Sequence, residues 1–520
     1  MFMLMGGIGA GKTTFIHHFF KFIIAPKNKE ALWFYVDFLK GPPNPDLIES
    51  FVYESVLDDA TQKYPDMTKQ IQSDLAKQGI GPLRPDLKDL VVLFSRLVLR
   101  GHTLALVLDN VDQHSYGSDK YQERTQLVAN NLMASLRAVT ILTLREESFF
   151  RSTMSGVLDA SIPSVFYIPF PSFEELVRSR IDYVLKLLKL PPDELESTVG
   201  GTAAIVANRQ MLSTYFEIIK NSLRSERYFG REILRFIDEV SGGDMRAALR
   251  FFSAFLVSGN TDVSEMLTLD GINRKKNESG YIIPFHHVIK SIILEDSRLY
   301  SGSQSRIMNL FDLNSAYTNS HFTHLRILNY LNGRLGYSTT HGRGYVEIDE
   351  LLQKADEISI NQGAIEDSLK KMALFGLIEF ENQSKEGFEK AVYTRITNMG
   401  MYYLKELANM FPYLDLMWMD TPISDPDVVS KLLQHVVELR PFKTTMDLDD
   451  RFFRTEVFLD YLEDAEEDEF ANNPELDDSP LTKRRFMKAI RESYEQQKEY
   501  IISRRTWNFP EQNDESELSS

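Results

Sequence analysis

The chain has 520 residues, 43% of them hydrophobic and 26% charged, and a formal net charge of -17. Its length suggests about three to four domains, and its composition is that of soluble folded protein. The acidity excludes a wholly basic nucleic-acid coat, though not one basic face, and the absence of cysteine excludes disulfides, iron–sulfur clusters, thiolate zinc sites and cysteine nucleophiles.

The first run, Met1 to Met5, reads as a buried strand followed by a glycine-rich turn and a helix. It lacks the basic flank and the length of a signal peptide. No apolar stretch reaches about 18 residues, so no membrane partner is expected and the simplest location is cytoplasmic. Further short apolar runs lie at 31–38, 103–109, 139–144 and 163–169, with helical patterns between them at 47–63 and 119–136. Short apolar strands alternating with helices predict an α/β core, a parallel sheet covered on both faces, over residues 1–170. The first helix offers Phe15, Ile16, Phe19, Phe20 and Ile23 for burial against that sheet.

Helical patterns dominate 171–258. A mixed connecting segment follows at 259–320, then a compact unit at 321–408. Residues 409–508 are expected to be helical, with an acidic stretch at 460–478, and the polar end, 509–520, to be disordered.

The turn after the first strand is a phosphate-binding loop: Gly6, Gly7, Ile8, Gly9, Ala10, Gly11, Lys12, Thr13 and Thr14 match G-x-x-x-x-G-K-[ST]. Glycines let the backbone curl until its N–H groups converge on phosphate oxygens. The opening of the next helix adds the positive end of its dipole. Lys12 is placed to meet the β- and γ-phosphates, and Thr13 to offer its hydroxyl to magnesium. The expected ligands are therefore ATP and Mg2+.

The run LALVLDNVDQ ends a strand at Asp109, a carboxylate suited to hold the magnesium. The next residue, where a catalytic glutamate is common, is Asn110. An amide orients water but cannot accept its proton. Slow hydrolysis is expected, with Asp112 the nearest substitute base. At the end of the following strand, Thr143 and Arg145 are candidates for the γ-phosphate, because arginine stays charged and forks onto phosphate oxygens. Arg151 is a candidate arginine finger toward a neighbouring subunit. In GGDMRAALR, Asp244 suits an N-cap and Arg246 lies in the first turn of the helix, where it would strengthen an anion site.

The ordered set GGIGAGKTT, LVLDNVD, TLRE, IPFPSFEELVRSRI and GGDMRAALR resembles the successive motifs of AAA+ and STAND ATPases, over roughly 1–256. The resemblance implies a five-strand parallel core, a helical lid, and nucleotide sensors matching Arg145 and Arg246. GGDMRAALR is similar to the lid motif of origin-recognition-type initiators and clamp loaders, whereas Asn110 and Arg145 lean toward the signalling STAND side.

Within 321–408, helices at 322–331, 347–354 and 361–374 precede two alternating runs, GLIEFEN and AVYTRIT, separated by a polar tip from Gln383 to Lys390, and a helix from about 398 closes the unit. Three helices and a hairpin resemble a winged helix-turn-helix. DNA binding there would need cations, and Lys370, Lys371, Lys385, Lys390 and Arg395 are available, with Glu366 and Asp367 opposing them. The sequence thus predicts an ATP-driven molecular switch acting in a homo-oligomer or multi-protein complex. The alternatives are a DNA-binding initiator or loader, a signalling or defence scaffold that binds no DNA, and a metabolic kinase, for which the helical half offers no catalytic constellation.

Overall fold

In the computed structural model the five apolar runs pair into one parallel sheet. The strands are β1 (Phe2–Met5), β2 (Ala31–Asp37), β3 (Thr103–Asp109), β4 (Val139–Leu144) and β5 (Ser164–Tyr167), in the order β2-β3-β4-β1-β5. The described residues are 2–7, 9–112, 119–145, 164–169, 172–199, 203–224, 230–258, 260–276, 280–313, 320–339, 342–381, 391–434, 448–482 and 485–508. The chain divides into two units, Met1–Ser172 and a second that begins at Phe173.

Strand alternation sorts the first unit's core into two layers. Leu104, Leu106 and Leu108 of β3 join Leu32, Phe34 and Val36 of β2 beneath the helices Ile48–Lys63, Pro65–Lys77, Leu87–Leu99 and Asp119–Leu136. Val107 and Trp33 turn to the other face, against helix α1 (Lys12–His18). The register sets Asp37 level with Asp109, and Leu108 level with Leu142. Three strand ends therefore finish together beside the loop that leaves β1.

Helix α1 continues as a π-helical stretch, Phe19–Ile24. Of the five apolar side chains expected against the sheet only Ile16 and Phe20 are buried, and Phe20 stacks on Trp33 at 4.8 Å between ring centroids. Phe15 and Ile23, expected on the buried face, are 45% and 37% exposed. An i, i+4 pair already fills the groove, and the wider π turn moves Ile23 off the stripe.

The second unit is mostly helical, and one apolar cluster runs through it from Phe173 to Tyr494. Helices Thr323–Gly333, Ile348–Asp356 and Gln362–Leu374 sit with a three-stranded antiparallel sheet. Its central strand, Tyr393–Ile396, pairs with Ile378–Phe380 and with the short Val346–Glu347, which the sequence reading did not anticipate. The expected tip, Gln383 to Lys390, lies outside the described residues, as does 509–520. Arg326, buried in the first of these helices, donates to Glu469 at 2.6 Å on the long helix Leu448–Asn472. Glu466 on the same helix accepts from Phe486 N at 2.7 Å and Met487 N at 3.0 Å, capping the helix Phe486–Asn508. Part of the acidic stretch thus faces inward. Among the described residues no helix is long and apolar enough to cross a membrane.

Truncating Glu466 leaves two buried N–H groups without their acceptor. We expect Glu466→Ala to lower the unfolding free energy by about 2 kcal/mol, measured by urea denaturation; an unchanged midpoint would deny the cap its role.

Candidate functional site

The loop between β1 and α1 has the backbone that its glycines allow. Gly9 and Gly11 adopt positive φ, 81° and 87°, which costs glycine little. Gly6 is required for space: a Cβ there would meet Ile168 O at 2.8 Å and Ala10 Cβ at 3.2 Å. Lys12 Nζ donates to Gly6 O at 2.6 Å and Gly7 O at 3.2 Å, so its charge lies over the loop. Ala10 is buried and Thr14 exposed, while Ile8 lies outside the described residues.

Thr13 Oγ1 donates to Asp109 Oδ2 at 2.6 Å. The two side chains chosen from sequence to hold magnesium are therefore in contact across 96 positions of chain. Asp109 is 0% exposed. Its Oδ2 accepts a second hydroxyl, from Tyr35 at 2.7 Å, and its Oδ1 accepts from Thr143 Oγ1 and from Asn110 N at 3.0 Å. A hard cation prefers such a set of oxygens. The residues present fit a magnesium ion and a polyphosphate: a carboxylate, a threonine hydroxyl, a lysine and a loop that only glycine can form.

Tyr35, Asp37 and Trp33 are alternate residues of β2 and share the face that α1 covers; Thr143 takes the same face of β4 beside Ile141. Burial, followed by the bond to Asp109, pushes the Tyr35 phenol above its ordinary pKa, so it stays a proton donor. His17 packs between Trp33 and Tyr35, with centroids 5.3 and 4.9 Å away. Burial, with Lys21 and Lys63 nearby, holds its imidazole below the usual value.

Asn110 sits in the left-handed region at φ 59°, which asparagine tolerates better than glutamate. Its backbone N–H also donates to Thr143 Oγ1 at 2.9 Å, and its side-chain amide donates to Asp37 Oδ1 at 2.9 Å. Asp112 is buried, and its Oδ2 accepts from Arg145 N at 2.7 Å and lies 3.7 Å from Arg145 Nε. The structure thus brings the proposed base and the proposed γ-phosphate sensor together as a pair. Arg151 lies outside the described residues. Arg246 belongs to the second unit, exposed at the start of helix Met245–Val257, where Asp244 Oδ1 accepts from Arg246 N at 2.8 Å as the expected N-cap.

Sequence reasoning missed Tyr35 and Asp37. The alternation W-x-Y-x-D in β2 was the available signal, since a tyrosine and an aspartate on one face of a buried strand need partners.

No protein-family model matches the chain, and no curated protein matches it. Among solved structures, it is similar to the Aeropyrum pernix ORC2 protein in ADPNP–ADP complexes, at 15% identity over 76% of this chain and 83% of that one, with a TM-score of 0.27. It is also similar to a Walker-type ATPase of Pyrococcus abyssi, at 14% identity over 78% and 91%, TM-score 0.29. A third is Cdc6p from Pyrobaculum aerophilum, at 13% identity over 81% and 89%, TM-score 0.26. At these identities and scores, the functional reading rests on the site's own residues.

Removing the Tyr35 hydroxyl withdraws one of the two donors to Asp109 Oδ2. Tyr35→Phe should lower the unfolding free energy by about 1.5 kcal/mol, the contribution of a hydrogen bond to a charged group. Chemical denaturation of the two chains side by side checks this, and equal stabilities would count against the contact.

Proposed function

We propose that this chain binds ATP with magnesium at Gly6–Thr14 and Asp109, and that it works as a nucleotide-dependent switch of the AAA+/STAND kind. The observation that carries the reading is the contact of Thr13 with Asp109 at the carboxyl edge of the parallel sheet, beside a glycine-shaped loop. Ligands of open α/β sheets bind at that edge. Loop N–H groups and Lys12 would take the phosphates, and Thr13 and Asp109 the magnesium, which supplies positive charge against the phosphate oxygens. Arg145 is held by Asp112. Meeting a γ-phosphate would exchange one anionic partner for another, which is how nucleotide state becomes a change of conformation. Arg246 is the second candidate sensor.

The helices Thr323–Gly333, Ile348–Asp356 and Gln362–Leu374 with the three-stranded sheet beside them are read as a winged helix, used here for protein assembly in a homo-oligomer or a larger complex. Charge pairing favours assembly over duplex binding. Lys371 is bonded to Asp312, Arg395 to Glu379, and Lys370 faces Asp367 at 3.9 Å. Lys385 and Lys390 lie outside the described residues. Cations already neutralised release few counterions from DNA.

Two measurements test this. Calorimetric titration with Mg-ATP should saturate, and Lys12→Ala should weaken binding by about a hundredfold or more, the loss of a strong charge-assisted contact. No affinity in the unmutated chain would end the proposal. In filter binding at low salt, we expect no retention of duplex DNA. Retention that falls steeply with salt would instead favour the initiator or loader reading.

A further inference from the structure

A hydrolytic site of this kind needs a group that takes the proton of the attacking water. Asn110 cannot, and among the described residues two carboxylates stand beside it besides Asp109: Asp112, two residues on, and Asp37, through a hydrogen bond. Their surroundings differ. Asp112 is 4% exposed, and its Oδ2 is engaged by both the backbone N–H and the guanidinium of Arg145. That oxygen is already taken by its two partners and does not face a water freely.

Asp37 stands at the end of β2, level with Asp109 in the sheet register. It is half-buried, and its Oδ1 takes both of its hydrogen bonds: from the Asn110 amide at 2.9 Å and from Leu39 N at 3.0 Å. Those bonds fix the carboxylate plane. Among the described residues, nothing donates to Asp37 Oδ2, and nothing donates to the side-chain oxygen of Asn110. One open carboxylate oxygen and one open amide oxygen are thus tied together beside the candidate metal ligand, Asp109.

We propose that Asp37 is the general base of this site and that Asn110 positions both Asp37 and the water. The inference rests on the reading of the site as one that binds a nucleoside triphosphate. In the step, the oxygen of water bonds to the γ-phosphorus while the bond from that phosphorus to the bridging oxygen breaks. The water's proton passes to Asp37 Oδ2, and the electron pair of the broken bond leaves on the nucleoside diphosphate. The Asn110 amide oxygen accepts the water's other hydrogen and so holds its lone pair toward phosphorus. Position 110 suits the amide, because the left-handed backbone there disfavours a longer acid and Asp37 would repel one.

The test compares the full chain with Asp37→Asn, which keeps the shape and an acceptor for Leu39 N. We expect kcat for ATP to fall by about a hundredfold or more, the contribution of a general base, while the calorimetric Kd for Mg-ATP stays within about threefold. Nucleotide recovered from the variant after incubation should remain triphosphate. Equal kcat in the two chains overturns the proposal, and so does an unmutated chain that binds Mg-ATP and never turns it over. If the unmutated chain binds no nucleotide, the reading of the site itself has failed.

Discussion

The first unit is organised around one buried carboxylate. Asp109 is fully enclosed, and an isolated charge at that depth costs several kcal/mol even after relaxation. Hydroxyls from Thr13, Tyr35 and Thr143 and the N–H of Asn110 meet it. At roughly 1.5–3 kcal/mol for each hydrogen bond to a charged group, a set of this size offsets the penalty. The donors come from α1, β2, β4 and the end of β3 itself. Satisfying one carboxylate therefore fixes how three strand ends and the phosphate-loop helix meet.

That constraint passes outward. The N–H of Asn110 reaches both Asp109 and Thr143, and the chain turns left-handed at that residue. The same turn delivers the side-chain amide to Asp37. Two residues further on, Asp112 closes over the backbone and side chain of Arg145. The candidate metal ligand and the amide of Asn110 share one hydrogen-bonded network, and the candidate sensor is held two residues further along the same turn.

The second unit relies on the same physics in a different place. Arg454 is fully buried beside Asp415, which accepts from Arg451 at 2.7 Å, and Arg326 reaches Glu469 toward the other end of the long helix. Buried pairs of this kind add little net stability but penalise any packing that separates them. They help specify how residues 323–405 sit against the helices after 448.

Much of the sheet was legible in the sequence, because a strand's apolar run and a glycine loop's spacing are local: residues a few positions apart decide them. The phosphate loop, the five strands and the carboxylate ending β3 are of this type. The short strand at 346–347 and the exposure of Phe15 and Ile23 were not legible, because a two-residue pairing and a π turn depend on what packs alongside. The roles of Tyr35 and Asp37 were hidden for a related reason. Alternation sets which face they take, but only the parallel register places them opposite Asp109 and Asn110, more than seventy positions away. The cations of residues 370–395 looked available in sequence, and the fold spent Lys371 and Arg395 on carboxylates. The sequence by itself determined which chemical groups the protein owns and the local shapes that carry them. The tertiary structure decided which of those groups are neighbours, because charges and hydrogen bonds act over a few ångströms of space, whatever the separation along the chain.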